Sequence, residues 1–123
     1  MEKKYSVVPV TVYRVSMKGK KRYYTKYKDL GDGYAAVMKK GKWGILTPEG
    51  NIWGRMEYSY IYAGFSENML RVEKNGKYGY ADKEAGRFID CIFDHADDFH
   101  DGKAKVKYQG EYRVINTVGK FID

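Results

Sequence analysis

Apolar and polar residues alternate along three separated stretches of the chain. Ala35/Val37, Leu70/Val72 and Ala104/Val106 fall on one side, with charged residues such as Glu73, Lys105 and Lys107 on the other. A period of two predicts half-buried strands. A turn follows each: Lys40-Gly41, Asn75-Gly76 and Gln109-Gly110. Glycine supplies the positive φ of a tight hairpin, and Asn-Gly is the strongest short hairpin signal. A second strand is then predicted, with Trp43/Ile45, Tyr78/Tyr80 and Tyr112/Val114 on one face. Gly44 and Gly79 lie on its other face and predict a bulge or a close backbone approach. A second turn (Glu49-Gly50, Ala85-Gly86, Val118-Gly119) leads to a short third strand containing Ile52-Trp53, Phe88-Ile89 or Phe121-Ile122.

The three stretches are copies of one another. Val37 to Val72, Gly41 to Gly76 and Trp43 to Tyr78 are each 35 residues apart, and Val72 to Val106, Gly76 to Gly110 and Tyr78 to Tyr112 are each 34. Leu30, Phe65 and Phe99 each precede the repeat valine by seven residues. Tyr24, Tyr58 and Phe93 open the linking segments. Helical periodicity is poor; the best stretch, Arg55 to Tyr62, is short and rich in tyrosine. The expected fold is all-β: three β-meander repeats of about 35 residues with an N-terminal capping hairpin. The units are placed at residues 24–57, 58–92 and 93–123, and the cap at 1–23, with Pro9 at a strand edge or start. One hairpin is not stable alone, so neighbouring copies must cover each other's apolar faces. An open twisted sheet, a solenoid and a propeller-like arrangement all satisfy this pattern.

The segments Lys40-Gly41-Lys42-Trp43-Gly44, Phe65-Ser66-Glu67-Asn68 and Asn75-Gly76-Lys77-Tyr78-Gly79-Tyr80-Ala81-Asp82 resemble the WG-repeat (KWG-repeat) family of bacterial β-hairpin repeats. The resemblance covers residues 24 to 123. It implies a repeat scaffold that mediates binding, with no shared catalytic residue to carry over. Three features depart from the family pattern. Trp43 becomes Tyr78 and Tyr112 in the later copies, Arg113 replaces the motif glycine, and Phe99-His100-Asp101-Gly102 replaces the Phe-Ser-Glu-Asn segment.

A chain of 123 residues is expected to form one domain. It has 43% hydrophobic residues and 13 Tyr, too apolar for a disordered tail. No apolar run approaches the roughly 18 residues of a membrane span, and Val7-Val8-Pro9-Val10 is too short for a signal-peptide core. Cys91 is the single cysteine and forms no internal disulfide. A cytoplasmic location without membrane association is expected.

Catalytic chemistry finds little support. Cys91, Asp94, His95, Asp97, Asp98, His100 and Asp101 are metal-capable. Copy one, however, has Tyr58-Ser59-Tyr60 in that place, and strand spacing scatters neighbouring side chains to opposite faces. Cys91 beside Ile89 and Ile92 reads as a packing residue. Glu49, Glu57, Glu67 and Asp82 mostly fall in turns, where acids are ordinary. No catalytic residue, metal or cofactor is assigned.

Charge points instead to recognition. The 23 Lys+Arg against 16 Asp+Glu give +7. Lys18, Lys20, Lys21, Arg22, Lys26 and Lys28 fall within eleven residues that contain no acid and are interleaved with Tyr23, Tyr24 and Tyr27. Such a surface suits an acidic protein partner; single-stranded nucleic acid is the alternative. Trp53 occupies the slot of Ile89, a packing position. If exposed, it would join Tyr58, Tyr60 and Tyr62 in a partner-binding patch. The expected binding set is Lys18, Lys20, Lys21, Arg22, Tyr24, Lys26, Trp53 and Tyr60. The structural set is Val37, Gly41, Trp43, Gly44, Phe65, Val72, Gly76, Tyr78, Gly79, Phe99, Val106, Gly110 and Tyr112. Self-association through open sheet ends is a second expected route.

Overall fold

The computed structural model describes the backbone of residues 13–17 and 20–123, and side chains from Arg22 onward. Val8, Pro9, Val10 and the other residues up to Val12, together with Lys18 and Gly19, lie outside the described residues. Thirteen strands and no helix occur among the described residues. They form four antiparallel sheets.

The first sheet is the hairpin β1 (Tyr13–Met17) and β2 (Lys20–Tyr24). The second runs in the order β3 (Lys26–Gly31), β4 (Tyr34–Lys39), β5 (Lys42–Leu46), β6 (Ile52–Tyr58). The third holds β7 (Tyr60–Ile61), β8 (Met69–Lys74), β9 (Lys77–Asp82) and β10 (Arg87–Phe93) in that lateral order. The fourth has β11 (His95–Ala96), β12 (Lys103–Tyr108) and β13 (Glu111–Asn116).

The hairpins β4–β5, β8–β9 and β12–β13 share one geometry. Lys39 pairs with Lys42, Lys74 with Lys77 and Tyr108 with Glu111. Two residues remain in each turn, both at positive φ: 54° and 79° at Lys40-Gly41, the same at Asn75-Gly76, and 52° and 85° at Gln109-Gly110. Positive φ at both central positions defines the twisted turn that matches strand twist. The three copies are thus one structure repeated, and the chain is an all-β repeat array whose sheets do not close.

Packing between sheets divides the core in three. Tyr24 covers Ala35, Val37 and Leu46 on one face of the second sheet. Leu30, Ala36, Trp43, Ile45 and Tyr58 meet Ile61, Leu70, Val72 and Ala81 of the third sheet. Met69, Tyr80, Ile89 and Phe93 meet Ala96, Phe99, Ala104, Val106 and Ile115 of the fourth. Each sheet therefore turns its Val face backward and its Trp/Tyr face forward.

Two expectations need correction. The first strand is not half-buried in copy one: Ala35, Ala36 and Val37 are all buried, because the second sheet is covered on both sides. The third strand is not short in copies one and two: β6 and β10 each span seven residues, whereas copy three has a single bridge, Ile115 to Phe121. In copies one and two the seven-residue strand carries a bulge beside the motif glycine. Trp43 pairs with Tyr58 and Ile45 with Trp53, so the third strand bulges opposite Gly44. The same shift lies between Ile89 and Phe93, opposite Gly79. A Cβ on Gly79 would strike the Ile89 carbonyl and come within 2.8 Å of backbone atoms of Asp90 and Cys91. A Cβ on Gly44 would meet the Met56 side chain. The bulge lies where the chain leaves the second sheet for the third and the third for the fourth, and Gly44 and Gly79 leave room for it.

The loop of copy two is pinned to that of copy three. Ser66 Oγ donates to the Phe99 carbonyl at 2.8 Å. The Glu67 carboxylate accepts the N–H of Asp101 at 2.6 Å and of Gly102 at 2.8 Å. Phe65 packs on Tyr34 at 5.2 Å, which ties the same loop back to copy one.

Two outcomes follow. Gly79→Ala is expected to destabilise by roughly 3 kcal/mol, because rigid backbone stands in the way. Gly44→Ala should cost about 1 kcal/mol, because the Met56 side chain can move. Urea denaturation monitored by tryptophan fluorescence reads the order; equal losses would contradict the bulge account. The second outcome concerns pH. Hydrogen bonds from Gly102 and Asp101 hold the Glu67 carboxyl below the ordinary carboxylate range. A depressed folded-state pKa gives stability that is present above the unfolded value and is lost as pH falls through the folded one. Melting temperature should fall as pH drops below about 4.3, and Glu67→Gln should flatten that fall. An unchanged acid profile in the variant would remove Glu67 from the linkage.

Candidate functional site

The expected binding residues do not converge on one spot. Tyr24 is core, buried against Val37 and Leu46. The Trp53 ring packs on Phe88 at 4.8 Å and on Tyr34 at 6.2 Å, at the margin of the core between the second and third sheets. Tyr60 is 43% exposed on the edge strand β7. Lys28 reaches the same edge: its ammonium donates to the Ile61 carbonyl and lies 4.6 Å from the Tyr60 ring centroid and 5.4 Å from that of Trp43. Arg22 and Lys26 are exposed. Lys20 and Lys21 stand in β2, and Lys18 is outside the described residues.

Arg22 takes part in a more definite feature. A groove of about 470 Å³ opens where the first hairpin meets the second sheet, lined by Arg22, Tyr24, Lys39, Asn51, Ile52 and Met56. The third strand and its bulge supply Ile52 and Met56, and the end of β4 supplies Lys39. Arg22 donates to the Gly50 carbonyl at 3.2 Å, which fixes the guanidinium at the rim. Among the described residues no carboxylate lines this groove.

The same junction recurs one repeat later, with different charge. A groove of about 260 Å³ is lined by Gly54, Arg55, Glu57, Tyr58, Lys74, Phe88, Ile89, Asp90 and Cys91. Tyr58, Lys74, Phe88 and Cys91 occupy the places of Tyr24, Lys39, Ile52 and Met56. Here Lys74 bonds Glu57 at 2.8 Å, and Asp90 balances Arg55. Burial pushes the Cys91 thiol up to about 11, so it is protonated near neutrality and a poor nucleophile. Lys39, Asn51 and Met56 were not among the residues picked from the sequence. The repeat offered one signal, since Lys39 and Lys74 share a slot.

The metal-capable set disperses. His95 Nε2 lies 2.9 Å from Asp97, Asp98 pairs with Arg71 at 3.1 Å, Asp94 pairs with Lys77, and Cys91 lies in the second groove. His100 and Asp101 come together with Glu67 at the exposed loop. Both Glu67 oxygens there already accept backbone N–H groups. The described residues contain no helix long and apolar enough to cross a membrane.

No curated protein and no solved structure matches the chain. The model of the WG containing repeat matches three times in succession, over residues 21–43, 43–78 and 78–112. The matched boundaries fall on Trp43, Tyr78 and Tyr112, which hold one slot in the three units. That family is a repeat family and not an enzyme family. With three contiguous matches over most of its length, the chain belongs to the WG-repeat family.

Proposed function

We propose that the chain is a non-enzymatic binding module that recognises an acidic protein partner through Lys/Arg and aromatic side chains of its N-terminal junction. One observation carries this reading. Of two equivalent inter-unit grooves, the one beside β2 has Arg22 and Lys39 at its rim and no acid among the described residues of its lining, whereas its counterpart is charge-balanced. The floor of Tyr24, Ile52 and Met56 accepts an apolar side chain, and the rim pairs with carboxylates beside it. Outside the groove lining, Tyr23, 52% exposed, and Tyr27, 43% exposed, lie on the neighbouring strands β2 and β3. Tyrosine gives large contact area at low entropic cost.

The test uses a glutamate-rich peptide carrying one phenylalanine, with Arg22→Glu/Lys39→Glu as the variant. Both side chains are exposed, so the fold should hold, as circular dichroism would confirm. Binding is expected at low salt, to weaken as salt rises, and to fall at least tenfold in the variant. Binding that is insensitive to salt, or equal in the variant, would refute the assignment.

A further inference from the structure

The fourth sheet presents a face unlike that of any other unit. Lys107 pairs with Tyr112, Lys105 with Val114 and Lys103 with Asn116, so these six side chains share one side. Ala104, Val106 and Ile115 take the other side and are buried against the third sheet. The six residues include three cations, and the neighbouring β11 adds His95, opposite Lys107, and is followed by Asp97, which His95 contacts at 2.9 Å. Their positions on the second sheet are filled by Tyr34, Ala36, Met38, Trp43 and Ile45, which pack forward onto the third sheet. Trp43 is 7% exposed in that slot and Tyr112 is 59% exposed.

The opposite side of β13 carries Arg113. This residue stands where Gly44 and Gly79 make room for a bulged third strand. Its guanidinium lies 4.0 Å from the Phe121 ring centroid and its Nε bonds Asp123 at 3.1 Å. The face is open to solvent.

What it offers is specific. Lys105 Nζ lies 5.0 Å and Lys107 Nζ 5.5 Å from the Tyr112 ring centroid. Alternate residues of an antiparallel strand advance about 6.8 Å, so Lys103, Lys105 and Lys107 form an evenly spaced row beside an exposed ring. We propose that this face binds single-stranded nucleic acid, with a base stacked on Tyr112 and successive phosphates paired with the three lysines. Sheet faces that combine an exposed aromatic ring with flanking cations accept single strands this way. An acidic peptide fits less well, because peptides add to a strand edge or fill pockets, and this face is an open plane. The site is separate from the Arg22/Lys39 groove, so either assignment can fail without the other.

Fluorescence anisotropy with a labelled oligothymidylate tests it on the full chain. Binding is expected at low salt, with a log–log salt slope near −2, at about −0.7 per phosphate. Lys105→Glu/Lys107→Glu should abolish it. Tyr112→Ala should weaken it about tenfold and Tyr112→Phe should restore it, while Arg22→Glu/Lys39→Glu should leave it unchanged. Absence of binding at low salt would overturn the proposal. So would equal affinity for a duplex with no effect of Tyr112→Ala, or equal competition by polyglutamate. Loss through Arg22→Glu/Lys39→Glu as large as through the lysine pair would overturn the placement.

Discussion

The array rests on a missing side chain. At Gly44 and Gly79 the third strand of a unit bulges across the second, in space that any Cβ would occupy. The bulge sends the chain out of one sheet at Tyr58 or Phe93 and into the next at Tyr60 or His95. The large ring beside the glycine points forward and meets the incoming strand: Trp43 reaches Tyr60 at 6.4 Å and Tyr78 reaches His95 at 6.1 Å. The tryptophan–glycine pair is thus one device in two halves. The glycine lets the chain cross, and the ring gives the next unit something to pack on. In the third copy Arg113 stands in the glycine's place, and Tyr112 is exposed.

Stacked sheets make burial a shared property. The third sheet has core on both faces, with Leu70, Val72 and Ala81 behind and Met69, Tyr80 and Ile89 ahead. The fourth sheet is buried on one face alone. Stability in such an array is close to a sum of unit and nearest-neighbour terms. Loop staples such as Glu67 to Asp101 and Gly102 add directional links to this non-directional packing. Because the framework consumes the apolar side chains, recognition is left to what the junctions and outer faces expose.

Much of this was legible in the sequence, and the rest was hidden for physical reasons. The period-two pattern at Val37, Val72 and Val106 and the three glycine turns gave strands and hairpins, because both signals are local. The glycine at 44 and 79 announced a close approach, which the bulge supplies. The burial of Ala36 was not legible, because a half-buried strand and one covered on both sides differ only through tertiary neighbours. The same holds for Tyr24, which sits in a basic run yet faces the core. The register of the first hairpin was also missed. Tyr13 pairs with Tyr24 as Trp43 pairs with Tyr58 and Tyr78 with Phe93, so β1 and β2 follow the second and third strands of a unit. Tyr13-Arg14-Val15 repeats in Tyr112-Arg113-Val114, a signal obscured by the absence of the motif glycine from both. The groove residues Lys39, Asn51 and Met56 converge from three elements, which one-dimensional spacing does not reveal.

Native-state amide hydrogen exchange tests the central claim most directly. If sheets stabilise one another through their faces, the amides of β8 and β9 exchange slowest, those of β12 and β13 open earlier, and Val106→Ala lowers protection in β8 and β9 as well as in its own strand. Uniform protection across the sheets, or a loss confined to β12 and β13 in that variant, would contradict the account.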